Sequence, residues 1–314
     1  MKTKFDFIKQ YQFRMCLGFG VKGLIIWQYY KKVRIGDNLL LQNQVIMANT
    51  SREKFNFRTK QFTDLSDSQW QDIAIFFEDQ RKRKYSLRKI FDAIRYVTRT
   101  GCQWRNLDKS YPAWQIVYYY FCKWKETGKI EAALTYLVEK ERISQGRNGK
   151  ATACAIDSQS VKKGALVSLD CGIDGGKQTN GRKRHIVVDT LGLPLAIYVS
   201  AANVHDSIAA IELLPLLNKT SKDLKLMRAD KAYRGDFEMW AKYCKITVEI
   251  SQKPPTEKGF VPQTGRWQVE RSFAWLNNFR RLSKDYEKTT GSSAVFIQIA
   301  YSDIILARKT ITEI

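Results

Sequence analysis

Histidine is scarce in this chain, two residues in 314, and the six cysteines form no CxxC pair. That combination excludes an ordinary zinc site, which draws its ligands from closely spaced Cys and His. Single scattered cysteines fit a reducing cytosol, where they act as small apolar fillers. Acids are the minority charge: 31 Asp and Glu against 53 Lys and Arg leave a net charge of +22. Such an excess serves either solubility or a polyanionic partner, meaning nucleic acid or an anionic membrane surface. No apolar run reaches the length expected of a membrane span. The early stretch Cys16–Tyr30 is interrupted by Lys22 and lacks a small-residue cleavage site, so neither a span nor a secretory signal is expected there. Apolar material is plentiful by contrast. At 44% hydrophobic, with eight Trp and sixteen Phe, the chain is excluded from the disordered class and is long enough for two domains, or one with an appendage.

Residues 1–60 form an atypical basic extension with aromatic-basic pieces such as IIWQYYKKVRIG and no sustained period. Ordinary sequence begins at Met47, so this extension is either a genuine basic arm or an over-read upstream of a start at Met47. From Thr63 the pattern becomes regular. Asp64–Asp67 offers an N-cap to SDSQWQDIAIFFED. Leu87, Ile90, Ile94 and Val97 repeat at helical spacing up to Gly101, with Arg88, Lys89, Arg95 and Arg99 on the other side. An aromatic loop and the helices WQIVYYYFCKWKETG and IEAALTYLVEKER complete a small all-helical segment over 61–145. Its short basic helices and tight turns follow the pattern of a helix-turn-helix DNA-binding unit. The stretch Trp114–Lys125 is either core with a basic rim or a surface for base stacking.

After the polar linker QGRNGK the period changes. ATACAID, RHIVVDT, LPLAIYVSAAN, LKLMRAD and ITVEIS are short β-rich runs, with helices DSIAAIELLPLLNK and RGDFEMWAKYCK between the later ones. Two longer helices, Arg266–Tyr286 and Ser292–Thr310, close the chain. Three strands, helix, strand, helix, strand, helix is the order of a ribonuclease-H-like α/β fold. It predicts a mixed five-stranded sheet with flanking helices over 151–314.

Three acids suit metal chemistry in that fold. Asp157 closes the first strand run and Asp230 the fourth; those strands are neighbours in this order, so their carboxyl ends share a crevice. Glu270 lies on the helix that follows, on a stripe with Arg266, Asn277, Arg281 and Lys284. Each acid taken alone reads equally as a turn, cap or solvated ion-pair residue. Together they can hold two Mg²⁺ or Mn²⁺ ions, hard cations that favour oxygen ligands and pair up in phosphodiester cleavage. The run Gly181–Arg182–Lys183–Arg184–His185 is either a charged, solvated edge or a phosphate contact. His185 and His205 read as structural or phosphate-contacting, and Asp189 as a turn residue.

AIDSQSVK, DGGKQTNGRKRHIVVDTLGLPL, ADKAYRG and VERSFAWLNNFRRLSKDYE resemble the DDE transposases of bacterial insertion sequences, in the insertion-sequence four/five superfamily. The resemblance runs from about Asp64 to the C-terminus and includes GCQWRNLDKSYPAWQIVYYYFCKWK. It implies a catalytic triad and metal ligand set of Asp157, Asp230 and Glu270. It implies divalent metal, cleavage at the element's terminal inverted repeats, and transfer of the 3′ ends into target DNA. Synapsis of two ends implies a homo-oligomer on DNA, in the bacterial cytoplasm at the nucleoid, with no membrane partner. The superfamily signature places Tyr seven before the glutamate, Arg four before and Lys seven after. Arg266 fits, whereas Gln263 and Asn277 replace the others, and Arg280 or Arg281 could take over the phosphate contact. The DNA-facing set expected is therefore Arg266, Arg280, Arg281, Lys284, Arg182, Lys183, Arg184 and His185, with Arg88, Lys89 and Arg95 from the helical segment.

Overall fold

The structure is a computed structural model that describes residues 29–35, 38–44, 62–78, 81–251 and 266–312. Within the extension, strands β1 (Tyr29–Ile35) and β2 (Asn38–Gln44) pair antiparallel as a hairpin. The region around Met47 lies outside the described residues. Residues 56–314 form a separate compact unit that holds both the helical segment and the sheet.

Helix α1 (Asp67–Phe77) starts at a capping box: the Ser66 hydroxyl accepts from the Gln69 amide, and the Gln69 side chain accepts from the Ser66 amide. Helix α2 (Leu87–Thr100) starts at Ser86 and stops at Gly101, whose φ of +72° is the left-handed C-cap expected from the sequence. Helices α3 (Trp114–Glu126) and α4 (Lys129–Ser144) follow. They close around an aromatic centre in which Phe77 packs, with tilted rings, against Trp124 and Phe91 at centroid separations of 4.6 and 5.0 Å. Val117, Phe121 and Trp124 are buried, so one face of the Trp114–Lys125 stretch serves packing, while Tyr118 and Tyr119 are exposed.

The sheet contains β3 (Ala153–Lys162), β4 (Gly172–Asp174), β5 (Thr179–Asp189), β6 (Pro194–Ala201), β7 (Leu226–Ala229) and β8 (Thr247–Ile250). Strand β5 runs antiparallel to β3 on one edge and to β6 on the other, while β7 is parallel to β3 and β8 parallel to β7. The resulting order β6-β5-β3-β7-β8 is that of a ribonuclease-H-like sheet, as the linear order of elements predicts. Strand β4 is an addition, hairpinned onto the start of β5. Helices α5 (Asp206–Ile211) and α6 (Leu213–Thr220) connect β6 to β7, and α7 (Asp236–Tyr243) connects β7 to β8.

The C-terminal part departs from expectation. In place of one helix over Arg266–Tyr286, α8 covers only Trp267–Leu276; Asn277 and Asn278 end it, and a single 3-10 turn at Arg280–Leu282 follows. Asn is a poor helix interior residue because its amide competes for backbone groups. Beyond the break the chain runs extended, Asp285 bridging to Lys163 beside β3, before α9 (Thr290–Thr312) begins. Glu270 therefore does not share a helix stripe with Arg281 and Lys284. Helix α9 also corrects the reading of apolar runs: Thr290–Arg308 is long and apolar enough to cross a membrane. Two thirds of that stretch is buried against the rest of the protein, in contact with α2, α4 and β6, which makes it the central core helix.

Candidate active site

The parallel pairing of β3 and β7 sets Ala153 opposite Leu226, Cys154 opposite Met227 and Ala155 opposite Arg228. Two residues further along the same register, Asp157 comes level with Asp230. Asp157 does not end its strand as expected. Strand β3 continues to Lys162 because Ser158–Lys162 keep pairing with Gly181–His185 of β5. Asp230 does follow the last residue of β7, where its Oδ1 accepts from the Ala232 amide at 2.8 Å and caps the turn Lys231–Tyr233. Asp157 Oδ1 accepts from the Ser158 amide at 2.8 Å. Each carboxylate has thus one oxygen fixed by the backbone and one, Oδ2, turned to the crevice.

Helix α8 packs across β3 and β5 and brings the residue just before its start, Arg266, to that crevice. The Arg266 guanidinium stands 3.5 Å from Asp157 Oδ2 and 3.9 Å from Asp230 Oδ2. Both separations are long for a charge-assisted hydrogen bond, so the contact is electrostatic rather than a bidentate clamp. Burial pushes the Asp157 carboxyl up to about 6, and the neighbouring Asp230 adds to the rise; the Ser158 amide, Arg266 and Lys177 act the other way. Behind the pair, Tyr233 is fully buried. Burial, reinforced by Asp157, Asp206 and Asp230, holds its phenol well above the ordinary range. Sequence reasoning passed over this tyrosine, although its place three residues after Asp230 in ADKAYRG marks it as part of the same turn.

Glu270 lies one turn along α8 from Arg266, exposed, on the same side of the helix. Among the described residues no three His, Cys, Asp or Glu side chains stand close enough to hold one ion. Asp157 and Asp230 form a donor pair of the kind that could hold a divalent cation. It is oxygen-only, carries excess negative charge, and has one carboxylate strained by burial, a condition a cation relieves.

The basic residues separate sharply. Arg182 is fully buried and donates to Asp285 Oδ1 at 3.0 Å and to the carbonyls of Leu169 and Glu287. Arg184 is buried and donates to the Leu282 carbonyl. Lys183 bonds Asp206 at 3.0 Å and the Val204 carbonyl, and His185 pairs through Nε2 with Ser200 at 2.9 Å. The run expected at a phosphate thus occupies the middle of a strand paired on both edges, with Arg182 and Lys183 answered by carboxylates and Arg184 held by a backbone carbonyl. Arg95 is equally buried, donating to Asp303 at 2.8 Å and Asp92 at 2.6 Å, and Arg281 donates to Glu287 at 2.7 Å. These six side chains are interior braces, which corrects their assignment to DNA. Arg280 and Lys284 are exposed. Arg88 and Lys89 are half-buried, Arg88 paired with Asp67 and Lys89 with Asp64 at 2.7 Å. Asp189 does fix its turn, accepting from the Leu191 and Leu193 amides, and also pairs with Arg142. His205 caps α5 through Nδ1.

Comparison with known proteins meets this geometry from outside. Residues 65–134 match the family described as "Putative transposase of IS4/5 family", and residues 148–301 match the family described as "Transposase DDE domain". The chain belongs to the DDE transposases of the IS4/5 type. A Burkholderia cepacia protein named "Putative transposase for insertion sequence element IS402" is 31% identical over 129 residues, 38% of this chain. The chain spans 60% of that relative's length. The catalytic core domain of BIV integrase superposes at a TM-score of 0.32 with 12% identity, over 52% of this chain and 99% of that one.

Proposed function

We propose that this chain is a DDE transposase that cleaves DNA at the ends of its insertion sequence and transfers the 3′ ends into target DNA. The observation that carries the reading is the register of β3 on β7, which sets Asp157 and Asp230 abreast at one crevice with their Oδ2 atoms sharing one guanidinium. Asp157 and Asp230 would hold one Mg²⁺ or Mn²⁺, and Glu270 would complete the second site after α8 shifts. Bound there, divalent ions supply a nucleophile at neutral pH and stabilise the leaving oxygen of an in-line displacement. The backbone amides of Ser158 and Ala232 hold the two aspartates in the orientation that ligation needs. Tyr233 and the apolar floor beneath them keep water from the back of the site.

Exposed Arg280 and Lys284, with Arg266 once it leaves the two aspartates, would contact backbone phosphates, and Arg88 and Lys89 would do so by exchanging Asp67 and Asp64 for phosphate. The partners are the terminal inverted repeats and target DNA. The protein acts in the bacterial cytoplasm at the nucleoid, as a homo-oligomer once two ends are brought together. The test is a Mg²⁺- or Mn²⁺-dependent nicking assay on duplexes carrying the element's ends. Wild type should nick at the repeat boundary, and Asp157→Ala should bind the ends but not cut. Equal loss of binding and cutting would make Asp157 a structural residue, and a preference for branched DNA would favour a junction resolvase instead.

A further inference from the structure

In the protein free of DNA the two aspartates do not face each other unbalanced. The side chain of Arg266 is only 12% exposed and lies against both, whereas the aspartates themselves are 21% and 37% exposed. A monovalent guanidinium therefore occupies the approach to the very oxygens, Oδ2 of Asp157 and Oδ2 of Asp230, that a divalent ion needs. The two cations cannot share that approach, because like charges at contact separations repel strongly in a half-buried setting. The contacts are also of the exchangeable kind. At 3.5 and 3.9 Å they lack the short bidentate geometry of the interior pairs, such as Arg281 with Glu287 at 2.7 Å. Arg266 is the residue immediately before α8 (Trp267–Leu276), so its contact also sets where the helix carrying Glu270 begins.

We propose that Arg266 is the resident counter-cation of the Asp157–Asp230 pair and has to be displaced before a divalent ion binds there. This rests on the reading of the pair as a metal site. It makes Arg266 a positioning residue with two anionic partners: carboxylates before metal arrives, and a backbone phosphate when DNA is present. Metal entry and phosphate capture by Arg266 are then coupled with the same sign, since each vacates what the other requires. A free transposase binds metal poorly, and one engaged on a DNA end binds it well.

The test needs no cleavage. Mn²⁺ is titrated calorimetrically into DNA-free wild type, Arg266→Gln, Arg266→Lys and Asp157→Asn, and each protein is melted with and without Mn²⁺. Arg266→Gln should bind Mn²⁺ about ten-fold more tightly than wild type, within the usual size of such couplings. Arg266→Lys, which keeps a cation at the site, should stay near wild type. Without metal Arg266→Gln should melt below wild type, and it should gain more on adding Mn²⁺. Arg266→Met, apolar and of similar length, repeats the test should the glutamine variant not fold. Equal affinity in wild type and the Gln and Met variants overturns the proposal while leaving the metal site standing. Wild type and Asp157→Asn binding Mn²⁺ alike would remove the metal site itself, and the proposal with it.

Discussion

Arg182 with Asp285 and Arg266 with Asp157 are the same chemical pair in two settings. The first lies where β5 meets the extended stretch after α8. Both side chains are fully buried, 3.0 Å apart, and Arg182 spends its remaining donors on the carbonyls of Leu169, Glu287 and Lys288. The Asp285 oxygens are taken as well, by the Glu287 amide and the Ser293 hydroxyl at 3.0 and 2.6 Å. The second pair is half-buried, longer at 3.5 Å, and leaves each aspartate an oxygen facing the crevice. A buried ion pair with every lone pair satisfied is a brace, because removing either member strands a charge. A loosely held pair with capacity left over is a place where another ion can enter. Charge type does not separate the two roles here; completeness of partnering does.

The sharpest way to break that comparison is Asp157→Asn. Cleavage should fall to background in Mg²⁺ or Mn²⁺. The metal-free protein should become more stable, by about 1 kcal/mol, because a buried charge has been removed while Arg266 keeps Asp230 as its anion. A brace behaves in the opposite way. Arg182→Ala should destabilise by about 3–5 kcal/mol, visible as a fall of about 10 °C or more in Tm. The adjacent pair Arg280 and Arg281 sharpens the contrast within one turn of chain. Arg281→Ala should cost about 2–3 kcal/mol through stranded Glu287, with little change in the salt dependence of DNA binding. Arg280→Ala should leave stability within about 0.5 kcal/mol while lowering the salt slope of DNA binding by about one. Gly101→Ala, away from any ion pair, should lose about 1–2 kcal/mol by thermal melting, since φ is +72° and a Cβ would sit 3.1 Å from the Arg280 backbone.

The strand order was legible because each strand carries a short β-rich run bounded by turn residues, and period alone orders such runs along the chain. Asp230 was legible for the same reason: LKLMRAD turns polar where β7 ends. Asp157 was half-legible. Its identity as a crevice acid followed from the neighbouring strands, but the continuation of β3 through Ser158–Lys162 did not, because those polar residues look like a loop until β5 pairs with them. The basic run 182–185 misled for a different reason. Its partners Asp285 and Asp206 lie 103 and 23 residues away, and no local signal says that a charge is already answered. The long helix expected over Arg266–Tyr286 failed at Asn277–Asn278, where two weak helix formers outweighed a continuing apolar period. The contact of Arg266 with both aspartates is a property of packing between α8 and the sheet, and spacing along the chain carries no trace of it.

The role of Asp157 and Asp230 as metal ligands is tested most directly by where a divalent ion sits. A crystal structure of the protein bound to an end of its element and soaked with Mn²⁺ should show an anomalous peak ligated by Asp157 and Asp230. In it Arg266 should be withdrawn to a phosphate and α8 moved to bring Glu270 in. An ion bound elsewhere, with Arg266 still lying between the two aspartates while DNA is engaged, would contradict it.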